Sequence, residues 1–559
     1  MKTRIITLGL IIISLTIYAQ EQHSVINYKG RDLITFDLSN LSWINAYDSL
    51  HAIMTEKYPY TDWKEIEWDE KNAFTQPMIL EAQNNTDTIE LTEALYEYLY
   101  SIPDGHVMYR GDVSAFRQDR QAGSFGLNMI PITNGKIIAN IVPEGGPAFL
   151  VGIRCGDEIV NWNGSPILEV PELEVYNNYG GVASNYATEE GRMIGRYEVL
   201  ARSPLGAMVE VTYISYATGS QHTVTLTAEA DDYTLWLQAY FLTKQIPNFD
   251  TVVTYKILDE QIGYLSVLME NGDDSLTLEE IRLTEDYLKV KEAITSFNEQ
   301  NIDKLIFDLR FNAGGNDLMG SAISGFFYET ESFYEYITGT SDVNYVIVDS
   351  IITQPETPYF SGEVVVILGP NCISTGEGIP MMLQRLPNAQ VISFWGSNGS
   401  FGIVPYVIYL PNDQYILLPY ARSLDENQVI QLDSDAGQIG GVQPDIKIPL
   451  TVERVIEQWG EGKDVEMEYA INLLLGVEEF VLENPCKIYP NPASDQFTVE
   501  CPDMQEITLI STSGQTILHK KLGGVSSFQL STSNLPQGLF LCRILSEREV
   551  YQHRVLIIN

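Results

Sequence analysis

The chain has 559 residues, 45% of them hydrophobic and 11% aromatic, enough for roughly two to four domains with cores of their own. Its 33 basic and 75 acidic residues give a formal charge of −42. Such a surface repels phosphate and speaks against a nucleic-acid partner; it reports solubility, with weak and unspecific calcium binding as a lesser consequence.

Lys2 and Arg4 precede an apolar run from Ile5 to Tyr18, and Ala19 offers a small residue for cleavage. Residues 1–19 are therefore expected to be a signal peptide. No later stretch approaches the ~18 continuous apolar residues of a membrane span, so the mature chain is expected to be exported and soluble. Residues 40–118 should be mostly helical, because "WINAYDSLHAIMTEKYPYTDW" and "LTEALYEYLYSI" repeat apolar residues at helical spacing. Pro103-Asp104-Gly105 ends the second of these with turn chemistry, and His106 follows.

Residues 119–230 change to short alternating strands such as "KIIANIV", "DEIVNWNG" and "MVEVTYIS". Residues 231–450 alternate buried strands, "KLIFDLR" and "VVVILG", with helical stretches, which implies an α/β layer with parallel strands. Residues 451–484 read as a helical, acidic connector, and residues 485–559 as short strands forming a β-sandwich. Of the five cysteines, Cys155, Cys372, Cys486, Cys501 and Cys542, three lie in this last segment, so one bridge is possible there without its pairing being assignable. Cys372 reads as small core packing.

The chemistry is narrowed by what is missing. Only six histidines exist, with no HExxH and no pair at helical ligand spacing; there is also no phosphate-binding loop and no GxSxG elbow. No metal or organic cofactor is expected. Ser374 stands between the "VVVILG" strand and a helix starting near Thr375. A serine there meets unpaired backbone N–H groups and the positive end of the helix dipole, so it is either a nucleophile or an N-cap. Gly314-Gly315 follow the other buried strand, where a glycine pair lets backbone approach a ligand or simply makes a tight turn. His106 can serve as a general base near neutral pH or be an ordinary turn histidine.

Four strings in order, "PDGHVMY", "LIFDLRFNAGGND", "NCISTGEGI…NAQVISFWGSNGSFG" and "GGVQPDIKIP", resemble the tail-specific, or C-terminal processing, serine peptidases over about 40–450. The resemblance implies a multidomain α+β fold: an N-terminal helical domain (40–118), a PDZ-like domain (119–230) and a crotonase-like α/β catalytic core (231–450). It implies Ser374 as nucleophile, with oxyanion donors among Gly314, Gly315 and Thr375. Members with a Ser–Lys dyad carry a lysine about 25 residues after the serine, whereas the first lysine after Ser374 is Lys447. The tricorn-like branch uses a histidine, which is His106 here. In that branch a serine precedes the histidine and a glutamate orients it; here Gly105 precedes it and Gln438 takes the orienting position. "PEGGPAFLVGIRCGDEIVNWNGSPI" resembles a bacterial protease PDZ domain, which implies that Phe125, Gly126 and Leu127 capture a peptide C-terminus. "YPNPASD", "STSGQ" and "LPQGLF" resemble the C-terminal sorting domain of the type IX secretion system. The expected function is an exported serine endopeptidase that cleaves unfolded or C-terminal segments of a polypeptide substrate through an acyl-enzyme, with the PDZ-like domain binding the substrate. The alternative is a non-catalytic peptide-binding surface protein with a degenerate peptidase core, to which Gly105 and Gln438 point.

Overall fold

A computed structural model describes residues 23–558 except 29–30, 171–185, 232, 244–246, 260, 273–274, 341–343, 404–405, 478–485, 512–514 and 547–549. The expected signal peptide, residues 1–19, lies outside the described residues. The fold is a mixed α+β assembly of several sheets.

The central sheet has the order Val253–Ile257, Gly263–Val267, Lys304–Asp308, Glu363–Ile367, Ala389–Ser393 and Ile446–Lys447; the first pair is antiparallel and the rest parallel. Parallel strands need both faces covered, which is why they read as continuous apolar runs. Leu305, Phe307, Val364 and Val366 pack beneath the helices Glu285–Glu299, Asp317–Gly325 and Thr375–Gln384. Ile306, Val365, Ile367 and Ile392 face the other way, onto Trp459, Tyr469 and Leu474. The stretch expected to be a connector therefore belongs to this core as far as the helix Val465–Leu475. Arg310 fixes it there, bonding Asp308 on its own strand end and Asp464 at 2.8 Å at the start of that helix.

The helical N-terminal region is not self-contained. Helices Trp43–Lys57, Trp68–Asn85 and Thr88–Tyr100 form as their apolar spacing predicts. They pack on a sheet ordered His23–Tyr28, Arg31–Asp37, Tyr406–Leu410, Gln414–Leu418 and Met108–Arg110. Strands from the far end of the peptidase region thus complete it, and the register Tyr415↔Arg110 and Leu417↔Met108 anchors the segment just after His106.

A second sheet is ordered Gln221–Thr227, Met208–Ile214, Glu158–Trp162, Ile137–Ile141 and Asn128–Pro131, with the helix Glu189–Leu200 against its last strand. The C-terminal segment, expected as a β-sandwich, is instead one five-stranded antiparallel sheet, in which the long strands Gln496–Ser511 and Thr516–Ser531 shift register around Glu500 and Met504. It encloses its own core around Phe497, Ile507, Phe540 and Val555. Cys486 and Cys501 are bonded, which leaves Cys542 as a buried thiol.

Candidate active site

The strand Glu363–Ile367 leads through a short turn to Ser374, and the fully buried helix Thr375–Gln384 follows. Ser374 adopts φ 59° and ψ −136°. That region is essentially reserved for glycine and costs a side chain about 1–3 kcal/mol, so surroundings must over-determine it. They do so with four contacts. Ser374 N–H donates to the Ser400 carbonyl (3.0 Å), Glu377 N–H donates to the Ser374 carbonyl (2.8 Å), and Ile373 N–H donates to the Asn312 carbonyl (3.1 Å). Gly314 closes the fourth side: a Cβ built there would lie 2.5 Å from Ser374 Cβ. The Ser374 hydroxyl forms no capping bond to the helix, so the N-cap explanation for this serine fails.

Gly314 requires its residue type, because its φ of +76° is left-handed and no Cβ fits against Ser374. The loop is held from below by buried Asn312. Its Oδ1 accepts the Gly314 N–H (2.8 Å), and its Nδ2 donates to Glu270 Oε1 (2.7 Å) and the Val267 carbonyl (3.0 Å). The Gly314 amide is therefore committed and is removed from the expected oxyanion set. Among the described residues, the N–H groups of Gly315 and Thr375 have no acceptor. Thr375 Oγ1 donates to the Gly315 carbonyl (3.0 Å) and to Asp317 (2.5 Å), clipping the glycine loop onto the helix start.

His106 is 4% exposed. The turn before it is built on buried Asp104, whose Oδ1 accepts the His106 backbone N–H (2.8 Å) and whose Oδ2 accepts the Tyr58 hydroxyl (2.7 Å). Ser400 brings this turn to the serine. Its Oγ accepts the Gly105 N–H (2.8 Å), while its carbonyl holds the Ser374 N–H. Gly105 and Ser374, 269 positions apart, are thereby tied to a single residue from a third segment. His106 Nδ1 is buried without a hydrogen-bond partner. Burial lowers the imidazole pKa, nearby Lys64 lowers it further, and Asp104 opposes both. The ring is neutral at neutral pH.

Glu377, on the first turn of the helix, organises the Ser400 segment. Its Oε1 accepts Ser397 Oγ (2.5 Å) and the Gly399 N–H (2.8 Å), and its Oε2 accepts the Ser400 N–H (3.0 Å). Burial pushes this carboxyl up to about 8 against those three hydrogen bonds.

Two sequence expectations are corrected by the geometry. Gln438 is at a turn with φ +57°, half-exposed; its carbonyl accepts the Glu189 N–H, and among the described residues no contact joins its side chain to His106. Gln438 therefore does not hold the imidazole in this structure. In the loop expected to capture a carboxylate, Phe125 N–H donates to the Ala201 carbonyl (3.1 Å) and Gly126 N–H to Ser124 Oγ (3.1 Å). Leu127 is fully buried, and a Cβ at Gly126 would meet Pro147 Cδ at 2.6 Å. Two amides that would hold a carboxylate are already committed internally.

Several residues that shape the site carried no role in the sequence reading: Ser400, Glu377, Asn312 and Asp104. Ser397 and Ser400 occupy "SFWGSNGSFG", the string in which a dyad lysine is absent. A serine- and glycine-rich string in place of a catalytic lysine was the available signal.

Residues 262–448 match peptidase family S41. Residues 487–559 match the secretion system C-terminal sorting domain. Among solved structures, mature CPAF complexed with lactacystin is 12% identical, with a TM-score of 0.52 over 78% of this chain and 99% of that one. Mature CPAF alone is 14% identical, with a TM-score of 0.52 over 79% of this chain and 99% of that one. The photosystem II D1 C-terminal processing protease is 16% identical, covers 76% of this chain and 98% of that one, and has a TM-score of 0.37. No curated protein matches the chain. The parallel strands of the central sheet, with the serine-bearing helix, thus lie in the segment that matches peptidase family S41. The chain also carries a type IX sorting domain, which marks it for export to the cell surface or the medium. Among the described residues no helix is long and apolar enough to cross a membrane.

Proposed function

We propose that the chain is an active serine endopeptidase on a crotonase-like core, with Ser374 as nucleophile and His106 as general base. The carrying observation is the backbone of Ser374: a glycine-only conformation at a strand-to-helix junction, packed against Gly314, with a hydroxyl that caps nothing. Strain of this kind presents a side chain at a sharp corner. The Ser374 proton passes to the neutral imidazole as Oγ bonds to the scissile carbonyl carbon. The oxyanion takes N–H bonds from Thr375 and Gly315, assisted by the dipole of the helix Thr375–Gln384. His106 returns the proton to the leaving amine, and water activated by the same ring cleaves the acyl-enzyme.

The second sheet, read as a PDZ-like module, is placed here as scaffold rather than as a carboxylate receptor. Tyr216 donates to Glu453 (3.0 Å), Lys447 pairs with Glu190, and Glu189 N–H donates to Gln438. These contacts join the module to the peptidase core. The rival reading, a non-catalytic binding protein, draws on the detached Gln438 and the unpartnered His106 Nδ1.

A fluorophosphonate probe separates the two. The full chain should be labelled on Ser374, and Ser374→Ala should remove the label while circular dichroism stays unchanged. An unlabelled wild type, or a label that survives in the variant, overturns the proposal.

A further inference from the structure

Glu270 lies beneath the glycine loop and is given no role by the chemistry above. It follows the strand Gly263–Val267 and is 1% exposed. Its backbone pairs with the loop. Ala313 N–H donates to the Leu268 carbonyl (2.8 Å), Glu270 N–H to the Gly314 carbonyl (3.1 Å), and Asn316 N–H to the Glu270 carbonyl (2.8 Å). The result is a one-residue parallel bridge between Glu270 and Gly315. That bridge sets the direction of the oxyanion donor. The C=O and N–H of a trans peptide point opposite ways, so with the Gly314 carbonyl turned onto Glu270 the Gly315 N–H points away from it. The Gly315 carbonyl points to the same far side, where it accepts Thr375 Oγ1 (3.0 Å) at the start of the nucleophile helix. Pairing with Glu270 thus aims the uncommitted Gly315 amide at the site.

The side chain locks the same loop. Glu270 Oε1 accepts Asn312 Nδ2 (2.7 Å), and Asn312 Oδ1 accepts the Gly314 N–H (2.8 Å). The second N–H of that amide goes to the Val267 carbonyl (3.0 Å), so Asn312 has a single orientation in which all its bonds are made. Glu270 Oε2 has no hydrogen-bond partner among the described residues. The titratable groups around the carboxyl are Asp317 at the start of the helix Asp317–Gly325, Asp286 in the helix Glu285–Glu299, Tyr334 in the strand Ser332–Thr338, and Cys372 just before Ser374. Burial pushes the carboxyl up to about 8; the Asn312 bond opposes, and Asp317 and Asp286 reinforce. At neutral pH the group is an uncharged acid.

We propose that Glu270 is a positioning residue for the oxyanion hole: through its backbone bridge to Gly315 and its bond to Asn312 it holds the Gly315 N–H toward the scissile carbonyl, and it does so as a neutral acid. A charged carboxylate in that place would set negative charge beneath a developing oxyanion and weaken the donors that stabilise it. This inference rests on the assignment of Ser374 and of the Gly315 amide above. Glutamine keeps the acceptor and the neutrality of the acid at every pH, whereas leucine removes the acceptor and leaves one Asn312 N–H unpaired.

The experiment compares the full-length wild type with Glu270→Gln and Glu270→Leu. At pH 7 the fluorophosphonate should label the leucine variant about tenfold more slowly, and the glutamine variant should recover most of that rate. At a pH of about 9.5 the wild type, its acid ionised, should fall behind Glu270→Gln by about tenfold. Glu377, which burial also pushes up to about 8, is present in every chain and cannot produce that divergence. A side chain that only packs would slow both variants alike at every pH. Amide hydrogen exchange over residues 311–317 reads the loop without reference to activity: protection of the Gly314 and Asn316 amides should persist in Glu270→Gln and fall in Glu270→Leu. Should the leucine variant fail to fold, the divergence between wild type and Glu270→Gln decides alone. Superposable pH profiles of those two, or a glutamine variant as slow as the leucine one at pH 7, overturn the role of Glu270. A wild type that never labels overturns the peptidase assignment instead; hydrogen exchange then decides Glu270, and undiminished protection in Glu270→Leu overturns its hold on the loop.

Discussion

Two glycine loops in this chain look alike as sequence and differ as chemistry. Ser124-Phe125-Gly126-Leu127 and Asn312-Ala313-Gly314-Gly315 each flank a strand and each suggest amides open to a ligand. Each also has a left-handed glycine pressed against a neighbour: Gly126 on Pro147, Gly314 on Ser374. Each has a polar residue two positions earlier that accepts the glycine amide, Ser124 Oγ in one and Asn312 Oδ1 in the other. The difference lies in the remaining amides and in what presses on the glycine. In the first loop Phe125 N–H is taken by Ala201 and the glycine meets inert proline. In the second, Gly315 N–H has no acceptor among the described residues, and the glycine meets a strained serine. A glycine loop becomes a site only when the surrounding fold leaves one donor uncommitted and puts a reactive group beside it.

The sharpest way to break this comparison is to add the same methyl group to both loops. Gly314→Ala places a Cβ 2.5 Å from Ser374 Cβ at a left-handed φ, so the serine must shift. Fluorophosphonate labelling should slow by about 100-fold or more, comparable to losing an oxyanion donor. Gly126→Ala meets Pro147 Cδ at 2.6 Å and should lower thermal stability by about 1–3 kcal/mol while labelling stays within about twofold. Equal loss of labelling in both variants would erase the distinction between the loops.

The second loop was legible in sequence because its parts are local. Strand, glycine pair and acidic helix start follow one another in "LIFDLRFNAGGND", and strand, serine and helix do so around Ser374. His106 was legible only through a family resemblance, since its approach to Ser374 depends on the pairing of Met108–Arg110 with Gln414–Leu418. Such pairing leaves no local pattern. Glu270 likewise meets Gly315 only through the pairing of two distant segments, and nothing in its own stretch marks it. The supposed connector misled for another reason. Trp459, Tyr469 and Leu474 are buried on the sheet, but the many acidic residues between them suggested solvent, although Asp464 and Glu466 face Arg310.

A smaller perturbation removes the polar anchor beneath each loop. Asn312→Ala frees the Gly314 amide but also leaves buried Glu270 without its donor, whose carboxyl burial already pushes up to about 8. Stability should fall by about 1–3 kcal/mol and labelling should slow by about tenfold. Ser124→Ala frees the Gly126 amide at the cost of one hydrogen bond, about 1 kcal/mol, with labelling unchanged. Thermal melts alongside labelling rates check both. A Ser124 variant that labels as slowly as the Asn312 variant would mean that the two loops are coupled.

The smallest expected effect tests the first loop directly, as a difference close to zero. A receptor for peptide C-termini must offer amides to a carboxylate, and an amidated peptide then binds more weakly. Here a carboxylate would have to displace the Ala201 carbonyl from Phe125 and the Ser124 hydroxyl from Gly126. Each exchange trades one hydrogen bond for another, and the net worth of a single bond is only about 0.5–1.5 kcal/mol. The strand Asn128–Pro131, which an incoming peptide would extend, is largely buried on the side where the helix Glu189–Leu200 packs. A peptide acid and its C-terminal amide, titrated into the Ser374→Ala chain so that neither is cleaved, should therefore bind within about threefold of each other. An acid that binds a hundredfold more tightly would show that Phe125–Leu127 opens to release its amides. The two glycine loops would then both be sites, and commitment of an amide in the resting fold would no longer separate them.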